Sequence, residues 1–575
     1  MRALRHLIVM LVGLTLVAST LGCKTTNAKD DSLITKQLKI PEHFKHIPAD
    51  TPYVMADIEP FPYDELDWQF IESYGALVTE LRDQLTAEAR NMPGDSVDKE
   101  LQLVLAILDE LDGNMSPEGL KTLGVAIQGH ISLYGVGAFP VYRLELSDSD
   151  KFEAMVSRIE AKVGEEIPRA TRGEHEYREL RADELVIPIL ITDDELVFGM
   201  THANFADTFI DYMTGDKMPE RSLYQDNALL EMMRKHSFKP YVAGYLDVTR
   251  LVAVVTGEDT SSLLAQSLLA AGLDAPDIEA SCRAEYNQLA AAAPRFIMGY
   301  DEITRTHMAA TFGLEMNTPL AARLASARGS IPGFTSAKRN SSLFSYGMGV
   351  DLKALVEVLR GEAKRLGEDP FQCPELVEIN DMAAAFNSAA QQIPPFISTL
   401  LGADVSLLGL DLDSGMVTRL QGTAVIRMAE PDALMGTLKL LVPELTNLTI
   451  KPGDAPVALT LPQDLAALGP GVTTPYIAMS DDAIGLCIGE GTQAHMLDLI
   501  NAPAQRTPLM SIAYDMAKIV ELIDDGADIS AGDEFAGAAL GVYESMGALK
   551  MDVDIDATGL YTRMRVEMVP KTKGR

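Results

Sequence analysis

One short phrase recurs along this chain and limits what it can fold into. An apolar run meets an aspartate, and an apolar pair follows four and five residues later. It reads Tyr245-Leu246-Asp247 with Leu251-Val252, Gly349-Val350-Asp351 with Leu355-Val356, and Ala513-Tyr514-Asp515 with Ile519-Val520. That pattern predicts a strand running into an amphipathic helix. The carboxylate at the junction accepts from free N–H groups of the first turn and complements the positive end of the helix dipole. Asp247, Asp351 and Asp515 are therefore expected as structural helix caps rather than catalytic groups. A degenerate fourth copy ends at Asp57, where Pro60 and Pro62 delay the helix.

Further signals recur in the same order. Thr192-Asp193-Asp194 and Ser480-Asp481-Asp482 both read as hairpin turns between apolar runs. Phe312-Gly313-Leu314-Glu315-Met316 matches Met564-Arg565-Val566-Glu567-Met568. From Asp57/Asp351 to Met316/Met568 the offset falls from 294 to 252 residues without a change of order, the pattern of tandem duplication with loop deletions. Strands joined mostly by hairpins, with helices interspersed, define the class α+β. Two tandem duplicated domains are expected, each a mainly antiparallel sheet with helices packed on it, over residues 41–316 and 343–575. The linker, residues 317–342, carries Arg323, Arg328, Lys338 and Arg339 without an acidic residue, so it reads as a short helix and solvated loop against an acidic neighbour.

The N-terminus supplies an address. Arg2 and Arg5 precede an uncharged apolar run from Leu7 to Leu21, the layout of a signal peptide. It ends in Ser19-Thr20-Leu21-Gly22-Cys23, which resembles the lipobox of bacterial lipoproteins, with Thr20 where Leu is usual. That resemblance implies a signal peptide over residues 1–22, lipidation of Cys23, and a polar tether over 23–40. Each buried CH₂ contributes ~0.8 kcal/mol, so several acyl chains anchor a protein stably. Lys24, in place of Asp after the Cys, implies the outer membrane. No later segment has the length and purity to span a bilayer. Among the other cysteines, Cys282 and Cys373 lie in polar stretches and are a candidate disulfide, whereas Cys487 sits in an apolar run and reads as a buried thiol.

Composition removes some functions. With 48 Lys+Arg against 83 Asp+Glu the net charge is −35, a surface that phosphates repel, so nucleic acid is not an expected partner. The 47% hydrophobic content over 575 residues supports large cores. No HExxH, G-x-S-x-G, P-loop or post-strand G-x-G-x-x-G occurs, and the histidines are scattered. Asp552-Val553-Asp554-Ile555-Asp556 opens like a calcium loop, but Ala557 and Arg563 stand where an EF-hand needs Gly and a bidentate acid. Its alternation instead predicts a half-buried strand. Asp524-Asp525-Gly526-Ala527-Asp528 reads as an exposed acidic loop, and Gly489-x-Gly491 as a turn. No catalytic residue, metal ligand or cofactor is expected.

The stretches Ile47 to Asp57 and Leu133 to Leu146 resemble an uncharacterised family of bacterial envelope proteins, a domain of unknown function that often follows a lipoprotein signal. The resemblance implies location more than activity. The leading expectation is a lipid-anchored, non-enzymatic binding or scaffolding module facing the periplasm or the cell surface, with an envelope protein or lipid as partner. The alternative is a carrier of a lipid or other hydrophobic ligand, whose cavity would draw on the 27 methionines for an adaptable lining. A hydrolase without a recognisable motif stands third.

Overall fold

The computed structural model describes residues 38–568 except 61–68, 92–98, 274–277, 305, 395–396, 414–415, 442–444, 447, 462 and 527–545. The signal segment, Cys23, most of the tether and the end of the acidic run at Asp528 lie outside the described residues.

Side chains alternate across a strand, so an apolar–polar alternation sorts residues onto two faces. Leu549, Met551, Val553 and Ile555 thus separate from Lys550, Asp552 and Asp554 in the strand Met546–Asp556. The first-half strands are β1 (Tyr53–Ala56), β2 (Ile131–Val136), β3 (Phe139–Glu145), β4 (Arg169–Arg172), β5 (His175–Ala182), β6 (Leu185–Ile191), β7 (Glu195–Gly199), β8 (Thr201–His202), β9 (Ala243–Asp247), β10 (Arg295–Ile303) and β11 (His307–Glu315). The second half adds β12 (Ser330–Pro332), β13 (Phe344–Met348), β14 (Leu400–Asp413), β15 (Met416–Met428), β16 (Val457–Ala458), β17 (Tyr476–Met479), β18 (Ala483–Ile488), β19 (Ala504–Arg506), β20 (Met510–Asp515), β21 (Met546–Asp556) and β22 (Gly559–Met568).

All ladders are antiparallel. In the first half they run β4-β5-β6-β7-β3-β2-β1-β9-β10-β11, with β8 continuing the β7 side of β6. In the second they run β16-β17-β18-β15-β14-β13-β20-β21-β22. The two sets join edge to edge through nine pairs of β11 and β22, from His307–Glu567 to Glu315–Gly559. One sheet therefore crosses both halves, and among the described residues no ladder leads from β4 back to β16. β12 and β19 form a separate ribbon that fastens the linker. The linker cations find acidic partners: Arg323 with Glu362, Arg328 with Asp554, and the buried Arg339 with Asp404.

Helices cover the sheet on both faces towards its ends, and the class is α+β. On one face of the first half, Val54, Tyr134, Val141, Val197 and Tyr245 form the largest core with the helices Ala206–Thr214 and Ala228–His236. On the same face of the second half, Val425, Ala478 and Cys487 pack against Met496 and Leu499 of the helix Thr492–Asn501. Cys282 and Cys373 form a disulfide that ties the helix Ala280–Ala292 to the turn before Val377–Ala390.

The junction aspartates cap helices. Asp247, Asp351 and Asp515 accept through Oδ1 from the N–H of Arg250 (3.2 Å), Ala354 (2.9 Å) and Lys518 (3.2 Å). Asp351→Ala should cost ~1 kcal/mol, and Asn should restore most of it because its oxygen takes the same hydrogen bond. Urea midpoints of the full chain measure this; equal losses for Ala and Asn would refute capping as the source of the stability. Asp57 does different work: no helix starts there, and its carboxylate turns inward to His130.

Candidate apolar binding cavity

The opposite face of the first half carries the alternate residues Met55, Leu133, Leu144, Leu196, Phe198 and Ile189. Two helices roof it. The helix Ser149–Val163 starts at Asp148, which accepts from Lys151 N (3.1 Å), and stops at Gly164 in the left-handed region, φ 77°. Its Phe152, Met155, Val156 and Ile159 fall on one stripe at helical spacing and face the sheet. The helix Lys99–Leu111 is apolar on two sides. Leu101, Val104 and Leu108 pack on the helix Gln69–Asn91, while Leu103, Ile107 and Leu111 point towards the sheet. A short helix, Pro117–Thr122, opens on Ser116, which accepts from Gly119 N, with proline as its first residue. It brings Leu120 up beside Met115 and Leu123.

These walls leave a cavity of about 310 Å³. Small-molecule sites typically fall between about 300 and 1,000 Å³. The lining is apolar except for Ser132, Tyr142, Arg143 and Arg178, and it includes no His, Cys, Asp or Glu. Both arginines are already neutralised. Arg178 donates to both carboxylate oxygens of Glu153 (2.9 and 2.6 Å) and to Glu160 (3.2 Å). Arg143 donates to Tyr134 Oη (3.1 Å), Glu195 (2.7 Å) and the Met213 carbonyl (2.8 Å). The cavity therefore offers dispersion contact and no spare charge.

Ion pairs hold the two roof helices to each other. Arg158 donates to Glu110 from Nε (2.9 Å) and Nη2 (2.7 Å), and Lys162 adds a contact at 3.1 Å. Burial works to raise the Glu110 carboxyl, but Arg158 and Lys162 outweigh it and hold it below the ordinary range.

A second cluster lies at the end of β1 and β2. The buried Asp57 accepts through Oδ1 from the Ile131 N–H (3.3 Å) and pairs with His130 Nδ1 (3.0 Å). The His43 ring centroid is 5.3 Å from that of His130. Burial pushes Asp57 up to about 6 against the pull of His130. Burial opposes charging His130 too, yet Asp57 prevails and raises it. His43 is lowered to about 3 by burial, with His130 adding to it, and His46 to about 4 by burial.

The aspartate caps and the cysteine pair lie away from the cavity, and none of them lines it. The sulfurs of Cys282 and Cys373 lie close to Glu375, but both are spent in the disulfide and offer no thiolate to a metal. Comparison with models of protein families, with curated proteins and with solved structures finds no match to the chain.

Proposed function

We propose that this protein is a lipid-anchored envelope protein that binds an apolar ligand between its sheet and the two roof helices. The observation that carries this reading is the 310 Å³ cavity with an apolar wall and no unpaired charge. A wall without His, Cys, Asp or Glu favours binding over acid–base chemistry, because a hydrolase needs a nucleophile, a base and an orienting group to converge. A neutral decyl diazirine photoprobe on the full-length protein tests it. Cross-links should concentrate on residues 131–144, 149–163 and 187–198; labelling spread evenly over the surface would remove the proposal.

The anchor belongs to the same reading, with Cys23 as the lipidated N-terminus and the outer membrane as the site. Cys23→Ser should release the protein from the membrane fraction, and undiminished retention would count against lipidation. We further propose that the two halves are tandem duplicates. Their shared strand order supports this, since β5-β6-β7-β3-β2-β1-β9-β10-β11 corresponds place by place to β16-β17-β18-β15-β14-β13-β20-β21-β22.

A further inference from the structure

The cavity does not end at its own wall. Leu133 and Met55 line it, and the sheet register carries their row onward: Met55 pairs with Gly244, Gly244 with Met298, and Met298 with Phe312. Phe312 pairs with Thr562, Thr562 with Val553, and Val553 with Met510. Pairing partners share a face, so this is one uncharged strip crossing eight strands. At roughly 4.8 Å between strands it runs about 34 Å, against about 15 Å of hydrocarbon in one bilayer leaflet. A parallel row, Leu246-Phe296-Leu314-Leu560-Ile555, widens it and is also uncharged.

Gly244 and Ile555 are buried, but the middle of this strip is accessible where a sheet centre is ordinarily covered. Phe296 is 51% exposed and Phe312 41% exposed, although both sit on interior strands with ladders on either side. Scattered apolar surface residues need no explanation, whereas two exposed phenylalanines on adjacent interior strands, flanked by the half-buried Leu246, Met298, Leu314 and Leu560, mark a binding surface.

Resting on the cavity reading, we propose that the strip continues the ligand site, and that the ligand is the long acyl chain of a membrane lipid, seated with one part in the cavity and the remainder along β9, β10, β11 and β22. Three observations select a chain over other occupants. The strip is continuous with the cavity through Leu133 and Met55, so both present the same surface to one ligand. Its backbone groups are engaged in ladders on both sides, leaving no edge for an added strand. Its named members include no Arg or Trp, residues enriched at protein hot spots, while its methionines adapt to a flexible ligand. The net charge of −35 also disfavours docking flat on an anionic bilayer, so the lipid is engaged by its chains.

The test photolabels the full-length protein in nanodiscs with a hexadecyl diazirine and, separately, with the decyl probe. Decyl cross-links should stay within the cavity, whereas hexadecyl cross-links should appear both there and on residues 295–315 and 549–566. Phe296→Asp should lower hexadecyl labelling of the central strands by about tenfold or more and leave decyl labelling of the cavity unchanged. Phe312→Ser, which introduces no charge, provides the second variant should the first fail to fold. Cavity labelling by both probes without labelling of the central strands overturns this inference and spares the cavity reading; labelling at neither place overturns both. A concentration-dependent dimer that protects residues 295–315 from the probe and is dissociated by Phe296→Asp would assign the strip to a second copy and overturn the acyl-chain assignment.

Discussion

The double variant Leu144→Phe with Val156→Phe should weaken binding of the decyl probe about a hundredfold and leave the protein folded. Leu144 enters the cavity from β3, opposite Ile131 and Leu196, and Val156 enters from the roof helix above. Phenylalanine adds apolar volume with no polar atom to satisfy, so the new rings fill space that the ligand would take. Overpacking a filled core costs about 1–3 kcal/mol, but here the added atoms have somewhere to go. Binding should fall by about two orders of magnitude, equivalent to roughly 2.7 kcal/mol, with unfolding temperature unchanged or raised. A drop in unfolding temperature with binding intact would mean that the cavity is closed by relaxation in solution and holds no ligand.

The second large effect concerns pH. The folded chain holds a proton at Asp57 more tightly than the unfolded chain, because burial lifts the carboxyl from its ordinary 3.8 to about 6. That contribution is complete below pH 3.8 and is lost as pH rises through 6. A shift of this size corresponds to about 3 kcal/mol. His130 is raised as well, so it acts in the same direction and extends the loss towards neutrality. His43 and His46 act oppositely, since their lowered values remove stability as pH falls below the ordinary imidazole value of 6.5. Comparing wild type with Asp57→Asn at each pH cancels those histidines. The difference in unfolding free energy should move by about 2.4 kcal/mol against the wild type between pH 4 and pH 7.5, since part of the contribution is already lost at pH 4. Parallel curves for the two proteins would show that Asp57 does not titrate in this range.

Much of the local architecture is legible in the chain because it depends on neighbours in sequence. The strand Met546–Asp556 declares its two faces by alternation, and Asp351 declares its helix by the apolar pair that follows. The start of Pro117–Thr122 follows from Ser116 with proline at the first helical position. The site is less legible for a physical reason. Leu103, Ile107 and Leu111 face the sheet in the structure, but four-residue spacing alone cannot reveal whether an apolar layer meets such residues or stops short and leaves a cavity. Asp57 illustrates a different difficulty. Its phrase matches the capping aspartates, yet the prolines after it leave the carboxylate free to take His130, 73 residues away in sequence. Arg339 likewise reads as a solvated linker cation, but its guanidinium is buried over the Phe334 ring and against Asp404, because the ribbon β12–β19 draws the linker onto the sheet.

The join between β11 and β22 bears on how such a chain is made. The strand that completes the middle of the sheet, Gly559–Met568, leaves the ribosome some 250 residues after its partner His307–Glu315. Synthesis proceeds at about 5–20 residues per second, so for on the order of ten seconds or more β11 is a nine-residue edge with unpaired N–H and C=O groups along its length. An exposed edge of that kind is a template for pairing with another chain. Chaperones that shield such edges, and any truncation that removes the hairpin of β21 and β22, therefore act on the same vulnerability: the centre of the sheet is protected only once β22 has been made.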